Sequence, residues 1–133
     1  MSARAAVLAR MEAVVDPTYD GEVPVDEKGR PLEQRYAVLY ATPGQRATDD
    51  FTRTQADRHV FRWQVTSVGG TAEQAEWVAV RCRDALMDER LRVEGWETGV
   101  VEHRSSSDIR PDEDIPGQTL FVAVDNYSLT ATR

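Results

Sequence analysis

Apolar positions recur along the chain at two spacings, and the most regular stretch runs from Thr71 to Leu91. Ala75, Val78, Ala79, Cys82, Ala85 and Leu86 fall there at successive steps of three and four, while Glu73, Glu76, Arg83 and Asp84 take the other side. This is the pattern of a helix with one buried stripe. It opens on Thr71-Ala72-Glu73-Gln74, in which the Thr hydroxyl caps backbone N–H groups and Gln74 reaches back. At 1.5 Å per residue such a helix is about 30 Å long, enough to cross one sheet. Val7, Leu8, Met11, Val14 and Val15 keep the same spacing and predict a first, amphipathic helix. Asp16-Pro17 ends it, because the residue before a proline is pushed out of the helical region.

The other spacing is that of strands. Tyr36 to Tyr40 is a short apolar run rich in strand formers and stopped by Thr42-Pro43-Gly44, which reads as a buried strand. Its expected partner is His59 to Val68, where Phe61, Trp63 and Val65 alternate with Arg62, Gln64 and Thr66. Glu22 to Val25 is extended enough for an edge strand inside an otherwise turn-rich segment. Trp96 to His103 is a weaker strand, interrupted by glycine. Thr119 to Asn126 alternates clearly and is extended by Tyr127 and Leu129. Two polar stretches, 41–57 and 104–118, have the composition of long loops.

The order helix, two strands, helix, two strands predicts an α+β fold: one mainly antiparallel sheet with the N-terminal helix and the long central helix packed on one face. Residues 1–133 read as a single domain. Trp63, Val78, Leu86 and Val122 are expected in its core. Trp77 lies off the helix stripe, so it is either partly buried beside the sheet edge or open to a partner.

Composition narrows the function classes. A net charge of −7 counts against adhesive binding to phosphate backbones, which needs clustered Lys and Arg. The single cysteine, Cys82, lies on the apolar stripe and reads as a small buried hydrophobe. Arg4 and Arg10 bracket an apolar run too short for a signal peptide, and no stretch has membrane-spanning length, so a soluble protein made inside the cell, with no membrane partner, is expected.

The residues that usually carry catalysis are scattered. His59 and His103 lie on different predicted strands without metal-ligand spacing, and no zinc site or other cofactor is expected. Ser105-Ser106-Ser107 lacks the elbow that exposes a nucleophile and reads as linker. Asp108, Asp112, Glu113 and Asp114 could collect a cation, but the calcium-loop spacing is missing. Gly69-Gly70 reads as the turn from strand to helix, without the pattern of a phosphate loop.

Trp63-Gln64-Val65-Thr66-Ser67-Val68-Gly69, followed by Glu73-Gln74-Ala75-Glu76-Trp77-Val78-Ala79, resembles the tail terminator family of long-tailed bacteriophages. Tyr19 to Pro24 ahead of Tyr36 to Tyr40, and Phe121 to Leu129 at the end, are similar to that family's pattern in phages of actinobacteria. The resemblance implies a non-enzymatic virion protein that forms a ring, usually a hexamer, at the head-proximal end of the tail tube. Such a ring stops tube growth and offers a docking surface to head–tail connector proteins. DNA passes through its lumen without specific binding. The implied location is the host cytoplasm during assembly and the neck end of the virion tail afterwards.

On this reading, contacts with the ring or tube are expected from Phe51 and Arg53 in the first long loop, from Asp108, Arg110, Asp112 and Glu113 in the second, and from Trp77. Two alternatives stay open. One is another neck or tail-completion protein of related fold. The other is a small α+β ligand-binding or enzymatic domain using His59, His103 and Tyr36.

Overall fold

The computed structural model describes residues 2–46, 57–112 and 119–133. Its first helix, α1 (Ala3–Glu12), is capped by the Ser2 hydroxyl, which accepts from the Ala5 N–H. Val7 and Met11 point into the core, and Val15 beyond the helix is buried with them. The helix stops before Asp16-Pro17. A short strand, β1 (Thr18–Asp20), follows and pairs in parallel with β2 (Tyr36–Ala41). The expected edge strand at Glu22–Val25 is therefore displaced. Val25 makes only an isolated bridge to Pro31, within a turn that Asp26 organises by accepting from the Lys28 and Arg30 N–H groups.

The pairing of β2 with β4 (Arg58–Gly69) is antiparallel, as the alternation predicts. Gly69 ends β4 against the start of α2 (Ala72–Met87). There the Thr71 hydroxyl accepts from the Gln74 N–H at 3.2 Å, and Gln74 Oε1 accepts from the Gly70 N–H at 2.9 Å. Both halves of the predicted cap are present, the second one residue further back. The helix spans 16 residues, about 24 Å. Its buried residues are Ala75, Val78, Cys82 and Leu86. It ends at Met87, short of the predicted Leu91, although Leu91 is itself buried.

The longest strand, β8 (Leu120–Thr132), lies inside the sheet beside β4, giving the order β1-β2-β4-β8-β5 with β5 at Glu97–Thr98. A short β3 (Gln45–Arg46) pairs with the start of β4; β6 (Glu102–Ser106) and β7 (Arg110–Asp112) pair with β8. The chain is thus α+β, with two helices and a mostly antiparallel sheet among the described residues. The stretch 104–118 is not simply a loop, since two pieces of it are strands. Its serines and charges reflect an edge strand open to water, which resembles loop composition. Conversely, much of the predicted strand Trp96–His103 is a connection, in which the Gly99 N–H donates to the Thr130 carbonyl.

Both helices cover the face carrying Leu39, Trp63, Val65, Tyr127 and Leu129. Each large apolar side chain buried there contributes about 1.5–3 kcal/mol. A smaller cluster, Tyr36, Val38, Val68 and Leu120, packs with Tyr19, Val23 and the half-buried Val122. Trp63, Val78 and Leu86 sit in the main core as expected, but Val122 does not. On β8 the deeply buried apolar residues are Leu120, Ala123, Tyr127, Leu129 and Ala131, and Asp125 is buried in the row of Ala123 and Tyr127.

Candidate interaction surfaces

Trp77 is built from three segments. On the outer side of α2 its ring is 40% exposed. The Arg35 guanidinium, from the segment leading into β2, lies 4.5 Å from the ring centroid, and that of Arg81, one helical turn on, lies at 4.8 Å. Arg81 is itself fixed, because its Nε donates to the Val14 carbonyl at 2.9 Å. The result is a half-open aromatic plate held between two cations, with Glu73 and Glu76 exposed on the same side of the helix. Trp77 is thus exposed and not buried beside the sheet edge.

The candidates of the second polar stretch lie on the sheet edge formed by β6 and β7, away from the helix layer. Ser107 anchors the connection between these strands. Its N–H donates to the Val124 carbonyl at 2.8 Å, and its hydroxyl accepts from the Val124 N–H at 2.9 Å. Beyond this clamp, Arg110 and Asp108 form a solvent-exposed ion pair at 3.5 Å. Asp112 is paired through its backbone with Leu120. Asp108 and Arg110 are thus brought together, whereas Trp77 belongs to a different surface. Phe51, Arg53 and Glu113 lie outside the described residues.

A polar cluster that sequence reading missed sits under the same edge. Asp125, 4% exposed, accepts from Ser106 Oγ and lies 2.8 Å from His103 Nε2. Ser106 Oγ is also 3.2 Å from that same nitrogen. The trio contains the three residue types of a hydrolytic relay but not its geometry. In a relay the carboxylate holds one ring nitrogen and the nucleophile meets the other. Here both partners meet Nε2, so the cluster is a buried carboxylate satisfied by two donors. The only sequence signal for it was an Asp interrupting the apolar alternation of the last strand.

His59 is engaged elsewhere. It lies 3.3 Å from Asp57, which also meets Arg46 at 3.4 Å and Arg133 at 3.2 Å. Desolvation pushes the Asp57 carboxyl upward, but the Arg133 hydrogen bond and the charges of His59, Arg46 and Arg133 outweigh it and hold the group below its ordinary range. Trp96 closes this corner, with its ring 4.6 Å from His59 and under the Arg133 guanidinium at 4.3 Å. Tyr36 belongs to the smaller cluster, where burial, followed by the charge of Asp112, pushes its hydroxyl up to about 12. Pairing of His59 with Ala131 and of His103 with Tyr127 sets the histidines four residues apart along β8, about 13 Å. Tyr36, His59 and His103 therefore do not converge on one site. Among the described residues, no group of three or more His, Cys, Asp or Glu side chains is placed to hold a metal ion, and no helix is long and apolar enough to cross a membrane.

Several open depressions mark the surface of the described residues. One, of about 470 Å³, includes Tyr40, Arg62, Gln64, Arg104 and Asn126 in its lining. A larger groove of about 890 Å³ runs beside β5 and the end of β8.

No protein-family model matches the sequence, and no curated protein sequence matches it significantly. Among solved structures, the fold is similar to a chain of "Virion of native gene transfer agent (GTA) particle", with a TM-score of 0.73 and 17% identity, covering 99% of this chain and 96% of that one. At that identity the likeness is one of fold, and it extends over essentially the whole of both chains.

Proposed function

We propose that this chain is a structural virion protein which forms a hexameric ring on the head-proximal end of a phage tail tube. There it ends tube polymerisation and provides the docking surface for head–tail connector proteins. The observation that carries this reading is the fold shared end to end with a chain of a gene transfer agent virion. The stretches Trp63–Gly69, Glu73–Ala79 and Phe121–Leu129, which resemble tail terminators, support it. They correspond to β4, α2 and β8, the elements that build the main core.

The physical logic is that of a chain terminator. A growing tube exposes a face that recruits its next ring; a subunit that fits this face but lacks it on its own far side ends growth. Trp77, Asp108, Arg110 and Asp112 are the described candidates for ring and tube contacts, together with Phe51, Arg53 and Glu113. The net charge of −7 suits a lumen through which DNA passes without sticking. On this reading the protein acts by surface complementarity, without catalytic residue or cofactor, first in the host cytoplasm and then at the neck of the virion.

Light scattering coupled to size-exclusion chromatography, on the protein alone and with the cognate tube protein, tests this. A ring-sized species, or a complex that blocks tube polymerisation, is the expected result. A monomer that leaves tube growth unchanged overturns it. The similar chain is part of a whole virion particle, so a neighbouring neck or tail-completion protein is the second reading. Binding to connector proteins without effect on tube growth would select that one.

A further inference from the structure

Most arginines of this chain are engaged. Arg4 pairs with Asp20, Arg30 with Asp26, Arg104 with Glu102 and Arg133 with Asp57, while Arg10 holds backbone carbonyls. Arg58, Arg90 and Arg92 differ: all three are exposed, and among the described residues their guanidinium groups have no hydrogen bond, ion pair or ring contact. Arg58 comes from the start of β4 and the other two from the segment after α2, yet all three line one groove of about 890 Å³. Of the two acidic residues in that groove, Glu94 is already engaged and Glu97 is exposed. Three unpaired cations gathered in one groove, in a chain of net charge −7, make a docking site for anionic groups.

The chain itself carries the complement. Glu73, Glu76 and Asp84 are exposed on α2 with no ion-pair partner among the described residues. Steps of three and eight place them along one side of the helix. Trp77 stands among them with the Arg35 and Arg81 guanidinium groups against its ring, and an exposed Trp is a common anchor of protein interfaces. A phosphate backbone fits the groove less well, since the whole molecule repels it and carboxylates already occupy part of the lining.

We propose that the groove of Arg58, Arg90 and Arg92 receives the acidic side of α2 from a second copy of this chain. The two patches differ, so the contact is head to tail, the kind that closes into a ring when the rotation allows. This deepens the ring reading above and rests on it.

Charge reversal on the full-length protein tests the pairing. The double variants Arg90→Glu with Arg92→Glu, and Glu73→Arg with Glu76→Arg, alter only exposed side chains, and circular dichroism checks that each is folded. Sedimentation and light scattering should show each variant alone associating at least tenfold more weakly than wild type. An equimolar mixture should recover association, because opposite charges then face each other again. Raising salt should weaken wild-type association. Variants that assemble alone like wild type, or a mixture that fails to recover, overturn the proposal. So does a wild-type protein that stays monomeric up to its solubility. The block of tube growth is scored separately: variants that assemble and block like wild type dismiss this groove while leaving the ring reading standing.

Discussion

Arg10, in the last turn of α1, donates from Nη1 to the Ala85 carbonyl in the last turns of α2, at 3.0 Å. The same guanidinium reaches the Glu89 carbonyl at 3.2 Å and the Arg90 carbonyl at 3.1 Å. The carbonyls at the end of a helix have no partner within it, so this one side chain caps α2 while fastening the two helices together. Hydrogen bonds from a charged donor are worth about 1.5–3 kcal/mol, and partial exposure here discounts that. Arg10→Ala should therefore lower stability by about 1–2 kcal/mol. Arg10→Lys should recover only part, because a single ammonium cannot span three carbonyls as the planar fork does. Urea unfolding checks this, with a lowered midpoint at unchanged slope.

Gly69 is fixed by crowding, not by an unusual backbone. A Cβ there would lie 2.5 Å from the Ala75 nitrogen and 2.5 Å from Gln74 Cβ. The strand end and the first turn of α2 approach so closely that no side chain fits between them. Gly69→Ala should cost about 1–3 kcal/mol, the usual range for overpacking. Gly70→Ala is the control: its nearest contacts, at 3.3 Å, are the side-chain oxygens of Gln34 and Gln74, which can move. A thermal melt in which the two variants behave alike would refute the crowding argument.

Legibility in the sequence followed the strength of the burial signal. Helix α2 showed itself through Thr71, Gln74 and the stripe Ala75, Val78, Cys82 and Leu86, because one side of it is wholly dry. The antiparallel pair β2 and β4 showed itself through Trp63 and Val65 for the same reason. Strands β6 and β7 were hidden because their side chains are mostly wet; Ser105, Ser106 and Arg110 look like loop residues while their backbones are paired. The assignment of β8 to a place beside β4 was also hidden, since alternation gives the faces of a strand but not its neighbours. Even the faces were misjudged there. Both rows of β8 carry apolar residues, and the row on the core side includes Asp125. Of the candidate contact residues, Trp77 was marked by its place off the stripe. Arg58 is far in sequence from Arg90 and Arg92, and only the fold gathers the three.

The Asp125 cluster yields a prediction about stability. With Asp125→Ala, the half-buried His103 and the exposed Ser106 lose their shared acceptor but can still reach water, which should cost about 0.5–1.5 kcal/mol. Asp125→Asn keeps an acceptor oxygen and should cost less. If the cluster were instead a hydrolytic relay, Ser106→Ala would abolish a measurable esterase activity. The shared use of Nε2 leads us to expect the same background turnover in wild type and variant.

At high pH the buried acids decide stability. Burial pushes the Cys82 thiol from its ordinary 9.0 to about 12, with Asp125 adding to the effect, and burial first pushes the Tyr36 hydroxyl from 10.0 to about 12. In both groups the folded state holds its proton more tightly than the unfolded chain does. Stability is therefore full below pH 9 and falls as pH rises towards 12, by at most about 1.4 kcal/mol per pH unit for each group. Cys82→Ala should lower stability at neutral pH by leaving a small cavity, yet flatten the decline that begins near pH 9. The same burial predicts that native Cys82 is unreactive towards thiol reagents at neutral pH and becomes reactive in urea.

Trp77 separates folding from assembly. Its ring gains about 0.5–1 kcal/mol from each guanidinium, and Arg81 keeps its bond to the Val14 carbonyl when the ring is removed. Trp77→Ala should accordingly cost no more than about 1–2 kcal/mol and leave the secondary structure intact. The loss should appear in association, because truncating an aromatic anchor at an interface commonly costs 2 kcal/mol or more, roughly thirtyfold in affinity. Urea unfolding and light scattering on the same sample compare the two effects. If unfolding shifts by several kcal/mol, the ring is part of the core; if both measurements stay at wild-type values, this side of α2 is not an interface.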